Sequence, residues 1–280
     1  MYVALSNKFL NKFFCWLNQE TESLKRFPLS RLSYIQNKLQ AADVLLIEGR
    51  TRVSQIIKLI TRSSWSHAAL YLGRGRDVQP IPLRDRIEKT YSVCLDDQLI
   101  LESLLGRGTI VSPLHKYEQE HMRICRPHGI TCADAQQVIA YTLQRLGVEY
   151  DFRQILDLAR FLLPWPILPR TWRSTLFELK PGTTLKETCS SLIAEAFQSV
   201  DFPILPVIDH NHRPDLALLK RNPRLYVPKD FDYSPFFDII KYPILDATHG
   251  GVYHDLPWDD SLLSNDDVPP VAQQQSDKKK

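Results

Sequence analysis

The sequence predicts a mixed α+β domain. Short apolar runs with the length of β-strands alternate along the chain with amphipathic helical patterns. Gly106-Arg107-Gly108 separates two of these runs, which is typical of a β-hairpin and therefore of antiparallel strands. With 280 residues, of which 44% are hydrophobic and 24% charged, the chain has an ordinary globular composition and can bury a substantial core.

Residues 1–41 are predicted to form an N-terminal helical extension. Leu10, Phe13, Phe14 and Leu17 recur at helical spacing, and lysines lie beside them. Two interpretations stay open. The segment is a helix docked on the domain, or it is an interfacial membrane anchor, because aromatic residues flanked by lysines suit a headgroup boundary. A second helical stretch is predicted at about residues 29–39.

Residues 42–245 are predicted to form the main domain. AADVLLIEG predicts a strand, and Thr51 then precedes a helix whose apolar face comprises Val53, Ile56, Ile57 and Ile60. SSWSHAALYLG predicts a buried strand that begins near His67. Residues 74–97 are polar and contain prolines, so they are predicted to be a long surface excursion.

The second half of this domain continues the same alternation. QLILESLL and TIVSPL flank the glycine hairpin, and HMRICRP predicts one more strand. ADAQQVIAYTLQRLG predicts a helix that ends at Gly147. A helix at about 153–163 and a proline-rich loop follow, and TCSSLIAEAFQSV predicts a further helix. Residues 246–280 are polar and repetitive, which predicts a disordered tail.

Charge and cysteine content narrow the class of protein. The formal net charge is only +3, and the basic run Lys278-Lys279-Lys280 stands alone, which argues against nucleic acid as the main partner. Five cysteines, odd in number and widely spread, indicate a reducing compartment. No apolar run reaches the ~20 residues of a membrane span, and Lys8 and Lys12 interrupt any secretory signal. We expect a cytoplasmic protein, with peripheral contact at the inner membrane face as the alternative.

Cys189 is the cysteine with the most informative position. It lies in the first turn of its predicted helix, where unpaired N–H groups and the helix dipole favour a thiolate. The backbone N–H groups around Thr188 and Ser190 are candidates for binding the oxyanion of an attacked carbonyl. The alternative is that Cys189 is a small buried apolar residue, as most free cysteines are.

His67 and Glu102 supply the other two parts of a nucleophilic site. A nucleophilic cysteine needs a base, and the base needs an orienting partner. His67 lies at the head of an apolar strand, where a histidine is either such a base or a satisfied core residue. Glu102 lies within the apolar run 99–105, where strand alternation turns it either to solvent or toward a buried imidazolium.

The segments SHAALYLG, LES, GVEYDF and TCSSLIAEAF resemble the permuted papain-like hydrolases of the YaeF/YiiX kind, within the wider NlpC-type and lecithin:retinol acyltransferase-like group. The resemblance implies a circularly permuted papain-like fold, in which a central antiparallel sheet packs against helices. It also implies that Cys189 is the nucleophile, that His67 is the general base and then acid, and that Glu102 orients His67. Tyr150 falls where related sequences keep a tyrosine, which implies a place near the oxyanion or substrate, although it could instead cap a loop.

A metal site is the competing interpretation of a second cluster. His115, His121, Cys125, His128 and Cys132 lie close together in sequence, and part of this spacing suits zinc. The cluster lacks a clear second pair of ligands, so we expect neither a metal nor a cofactor.

The expected function is cleavage of an amide or an ester through a cysteine acyl-enzyme. Peptide or aminoacyl amides and acyl lipids both stay open as substrates. The alternative function is a non-catalytic, membrane-associated protein that binds a ligand on a papain-like scaffold.

Overall fold

The computed structural model describes residues 12, 14–21, 31–79, 81–150, 186–209, 217–241, 262–265 and 268–272. Its strands are β1 (Val44–Glu48), β2 (His67–Arg74), β3 (Gln98–Leu104), β4 (Gly108–Pro113), β5 (His121–Pro127), β6 (Glu149–Tyr150), β7 (Lys186–Glu187), β8 (Val207–Asp209), β9 (Ala217–Leu219), β10 (Phe237–Ile240), β11 (Leu262–Asn265) and β12 (Val268–Ala272). Its helices are α1 (Leu32–Gln36), α2 (Arg52–Thr61), α3 (Ile81–Tyr91), α4 (Cys132–Leu143), α5 (Cys189–Ser199) and α6 (Lys229–Tyr233). Short 3₁₀ helices lie at Gly75–Asp77, Leu114–Tyr117 and Pro223–Leu225.

A central sheet carries the fold. Among the described strands, six pair antiparallel in the order β10-β5-β1-β2-β3-β4. The strand β2 lies inside this sheet, and its first residue, His67, is opposite Ile47 of β1. The edge strand β10 pairs with β5 and comes from a part of the chain for which the sequence analysis predicts no particular element.

The two faces of the sheet bury separate apolar clusters. On one face Leu46, Leu70 and Leu101 pack with apolar residues of α4 and α5. On the other face Leu45, Ala69 and Ile100 form a cluster that also takes in Ile35 of α1 and Leu114 of a 3₁₀ helix. Helices therefore cover both faces of an antiparallel sheet, and the predicted α+β class is confirmed.

Threonine caps fix the start of three helices. The Thr51 and Thr131 hydroxyls accept a backbone N–H from the third residue of α2 and α4 respectively. At α5 the Thr188 and Ser191 side chains cap each other's backbone N–H groups in a capping box. The helix α4 ends at Leu143, four residues before the predicted stop at Gly147.

Residues 74–97 are more regular than the sequence predicts. They contain the 3₁₀ helix Gly75–Asp77 and the 11-residue helix α3, so the predicted surface excursion is partly helical. Proline is a helix breaker inside a helix, but Pro82 lies in the first turn of α3, where its missing N–H costs nothing. The buried side chain of Ile87 then anchors α3 on the core.

The described part of the N-terminal extension contacts the domain. Residues 14–17 are helical, and Leu17 is buried. The Asn18 side-chain amide donates to the carbonyl of Leu105, and Glu20 forms a β-bridge with Thr51. No helix within the described ranges is long and apolar enough to cross a membrane.

Four predicted segments lie wholly or partly outside the described residues: much of the N-terminal extension, the helix at 153–163, the proline-rich loop after it, and most of the tail from residue 246. Within that tail β11 and β12 pair as an antiparallel hairpin, where the sequence predicts disorder.

Candidate active site

The Cys189 thiol lies at the start of α5 and is buried. Cys189 is the first helical residue after the Thr188 cap, as the sequence predicts, and only 5% of its surface is exposed. Its sulfur is in hydrogen-bonding contact with the His67 ring and accepts from the backbone N–H of Ala68. The Ser190 Oγ is 3.9 Å from the sulfur. The capped helix therefore fixes the thiol against the beginning of β2.

His67 connects the thiol to a buried carboxylate. Its Nε2 is 2.9 Å from Oε2 of Glu102, which leaves Nδ1 as the ring nitrogen that meets Cys189. Side chains alternate along a strand, so His67 shares a face of β2 with Ala69, and Glu102 shares a face of β3 with Ile100. Ala69 and Ile100 belong to the same apolar cluster. His67 and Glu102 therefore lie on the same face of the sheet. The sequence left open whether Glu102 turns to solvent. The structure answers this: its side chain is fully buried and paired.

Two further residues that the sequence analysis did not identify hold Glu102. Lys116 Nζ is 2.6 Å from Oε1, and the Tyr117 hydroxyl donates to Oε2. Both residues come from the 3₁₀ helix Leu114–Tyr117, which follows β4. Nothing in the sequence around them marks this role, since it depends on how β3 and β4 pair. Glu102 therefore meets three donors, and its orientation is fixed from two sides.

The electrostatics of the pair favour a thiolate and an imidazolium. Burial lowers the pKa of His67, but the adjacent Cys189 and Glu102 outweigh burial and raise that pKa to about 9. Burial raises the pKa of the Cys189 thiol, but the His67 imidazolium outweighs it, helped by the Ala68 N–H and the Ser190 hydroxyl. The net result is a thiol pKa below its ordinary value, which is the condition for a reactive cysteine.

Glu102 stays ionised in spite of its burial. Burial raises its pKa, but the hydrogen bond and charge of His67, and then the charge of Lys116, hold that pKa well below its usual range. Burial and the neighbouring carboxylate raise the pKa of Tyr117 well above its usual value, so its hydroxyl keeps the proton that it donates to Glu102. The carboxylate thus acts as a fixed negative charge beside the imidazole.

A pocket opens beside the thiol. Counting the space that is open to solvent, its volume is about 380 Å³. Its described lining comes from α2, from the residue before β2, from β6, from the start of α5 and from the segment before α6. It consists of Ile57, Ile60, Thr61, Ser66, Tyr150, Thr188, Cys189, Ser190, Tyr226, Val227 and Pro228. The predicted substrate or oxyanion residues Tyr150, Thr188 and Ser190 therefore all lie in this lining. Their roles stay predictions.

The residues of the competing metal cluster are dispersed. His121 stacks on Trp65, and Cys125 is buried in the sheet. The exposed His128 pairs with Asp238, and Cys132 is exposed at the start of α4. In the described part of the chain, no three His, Cys, Asp or Glu side chains lie close enough together to hold a metal ion.

Comparisons with known proteins bear on the same segments. A crystal structure of the metalloprotein YiiX from Escherichia coli O157:H7 is 13% identical, with a TM-score of 0.44, and the match covers 73% of this chain and 98% of that one. A search of the curated proteins found no match.

Residues 38–160 match the model of a family described as permuted papain-like amidase enzyme, YaeF/YiiX, C92 family. The matched segment includes His67, Glu102 and Tyr150 and ends before Cys189. The resemblance predicted from the sequence is thereby confirmed: over this segment the chain carries the sequence pattern of the permuted papain-like amidases of the YaeF/YiiX kind.

Proposed function

We propose that this protein is a cysteine hydrolase that cleaves an amide or an ester through an acyl-enzyme on Cys189. One observation carries the proposal. The thiol is in contact with His67, and His67 is in turn held by the buried carboxylate of Glu102. A nucleophile beside a base that a third group orients is the arrangement that covalent acyl transfer requires. The match to an amidase family supports the same class of chemistry.

In the first half of the reaction the Cys189 thiolate attacks the carbonyl carbon, and the carbonyl oxygen takes the negative charge. The first turn of a helix leaves backbone N–H groups without helical partners, and those of Cys189 and Ser190 lie in that turn. We assign them to stabilising the oxyanion. The bond to the leaving nitrogen or oxygen then breaks, and the His67 imidazolium gives that atom its proton.

In the second half of the reaction water releases the acyl group. Neutral His67 removes a proton from a water molecule, whose oxygen attacks the thioester carbon. The carbon–sulfur bond then breaks, so that the acid leaves and the Cys189 thiolate with the His67 imidazolium is restored. Glu102 does not exchange a proton in this scheme. Its negative charge stabilises the imidazolium, and its hydrogen bond keeps Nδ1 directed at the sulfur.

The chain provides a matched control for testing the nucleophile. Cys132, like Cys189, is the first residue of a helix that a threonine caps, but Cys132 is exposed, whereas Cys189 is buried against His67. After incubation with p-nitrophenyl acetate, we expect peptide mass spectrometry to find acetyl on Cys189. We expect Cys189→Ala to lose both the acetylation and the release of p-nitrophenol.

The control variant Cys132→Ala should keep turnover at the wild-type level. Equal labelling of Cys132 and Cys189, or p-nitrophenol release that survives Cys189→Ala, would contradict the proposal, because the helix start alone would then account for the reactivity.

A further inference from the structure

The pocket beside Cys189 has an apolar wall made by two elements. Ile57 and Ile60 come from one side of α2, since residues three apart are neighbours on a helix surface. Val227 and Pro228 come from the segment that leads into α6. The Leu205 backbone N–H donates to the Tyr226 hydroxyl at 3.4 Å, which leaves the Tyr226 ring to line the pocket.

The two sides of this wall are tied to each other. Lys229 Nζ donates to the carbonyl of Thr61 at 2.6 Å, which joins the end of α2 to the start of α6. At its other end α2 is capped by Thr51. Ile60 and Val227 are both largely buried, at 7% and 6% exposure. The apolar wall is therefore a fixed surface, present before any substrate binds.

The polar side chains of the lining are largely occupied within the protein. The Thr61 hydroxyl donates to the carbonyl of Ile57 at 2.8 Å, and Ser66 Oγ accepts from the Gly49 N–H at 2.9 Å. Thr188 is engaged in the capping box with Ser191. Apart from the Cys189 thiolate, none of the described residues that line the pocket carries a charge.

Once Cys189 carries the acyl group its sulfur is neutral, so a charged group in this pocket would lose its hydration without gaining a partner, which is costly. An apolar chain would instead gain about fourfold in binding per methylene buried, from a transfer free energy of ~0.8 kcal/mol. We infer that the acyl group of the substrate is uncharged and apolar, and that Ile57 and Ile60 set this preference. The inference rests on the proposed function, since it concerns the acyl group that Cys189 would carry.

A series of p-nitrophenyl esters from acetate to octanoate tests the preference. The expected result is a rise in kcat/KM of up to about fourfold per added methylene over the first few members. The pair hexanoate and 6-aminohexanoate isolates the charge, because the two chains differ chiefly at the terminal ammonium. We expect hexanoate to be cleaved at least ~30-fold faster, since the buried ammonium would be unpaired.

Variants of α2 test whether the apolar pocket wall causes the preference for an uncharged acyl chain. Ile57 is half-buried, so Ile57→Asp is compatible with folding and places a carboxylate in the pocket. We expect Ile57→Asp to lower kcat/KM for the hexanoate ester and to raise kcat/KM for the 6-aminohexanoate ester. The preference for the uncharged acyl chain should therefore become smaller or reverse. The matched control is Ile56→Asp, on the same helix but 38% exposed and outside the described lining. This control should leave both rates unchanged.

The outcomes separate the inference from the proposed function. If acetate is cleaved in a Cys189-dependent way, but chain length and the terminal charge have no effect, the apolar acyl group is refuted and the hydrolase stands. An equal effect of Ile56→Asp and Ile57→Asp also refutes the role of the wall. If none of the esters is cleaved and Cys189 takes no acyl group, the proposed function fails, and this inference fails with it.

Discussion

Glu102→Gln is the substitution that most directly tests how the site is built. The change keeps the shape of the side chain but removes the negative charge 2.9 Å from His67 Nε2. It also leaves the Lys116 ammonium, which lies 2.6 Å from Oε1, without its counter-charge. Both effects disfavour the His67 imidazolium, so the pKa of His67 should fall.

The size of the effect follows from the pKa of His67. A rise from 6.5 to about 9 corresponds to roughly 3 kcal/mol in favour of the imidazolium, at ~1.4 kcal/mol per pKa unit. Cys189 provides the larger part of this and Glu102 the rest. Because the raised pKa keeps the proton on His67 below pH about 9, the alkaline limb of activity in the wild type should lie there. In Glu102→Gln we expect that limb to move down by about one pH unit, with a loss of about 10²-fold in kcat/KM.

The assay is the pH dependence of kcat/KM for p-nitrophenyl acetate, which reports the pKa values of the free enzyme. Glu118→Gln is the control, because Glu118 is an exposed carboxylate next to Tyr117 that makes no contact with Glu102 or His67. It should reproduce the wild-type profile. An alkaline limb that stays at about pH 9 in Glu102→Gln would refute the idea that Glu102 acts through His67.

Two further substitutions test the support of the site. Lys116→Met removes the cation that pairs with Glu102. The full charge of the carboxylate then acts on His67, so the pKa of His67 should rise and the alkaline limb should move to higher pH. A shift to lower pH would contradict this. Thr188→Ala and Thr131→Ala each remove a helix cap and should each lower the free energy of unfolding by about 1 kcal/mol in urea denaturation. Only Thr188→Ala should also lower kcat/KM, and equal activity losses in the two variants would show that the cap acts on stability alone.

Chain-local patterns could identify residues at the ends of elements and charged residues inside apolar runs. Thr188 before an apolar helix marks a cap, and this places Cys189 in the first turn from sequence alone. His67 at the head of an apolar strand and Glu102 inside another are conspicuous because a charged group in such a run is costly without a partner. Lys116 and Tyr117 carry no such mark, because their contact with Glu102 exists only once β3 and β4 are paired.

The apolar face of α2 shows a second limit of sequence patterns. Ile56, Ile57 and Ile60 belong to the apolar face that the sequence predicts for this helix, and such a face is typical of a helix packed on a core. In the structure Ile56 is 38% exposed, while Ile57 and Ile60 line the pocket. Periodicity identifies which side of a helix is apolar, but a core and an apolar pocket wall have the same period. The distinction comes from what lies opposite the helix, here Cys189 and the segment before α6.

The position of His67 at the first residue of β2 is a requirement of the site's geometry. Glu102 is held on the face of the sheet that carries Ala69 and Ile100, whereas Cys189 belongs to the cluster on the opposite face. A histidine in the middle of β2 would face one side only, since the sheet would separate it from the other group. At the start of the strand the ring contacts both groups: Nε2 meets the carboxylate, and Nδ1 meets the thiol. The sheet thus separates the charged support of the imidazole from the apolar pocket, which keeps Lys116 and Glu102 away from the acyl group while their charges still act on His67.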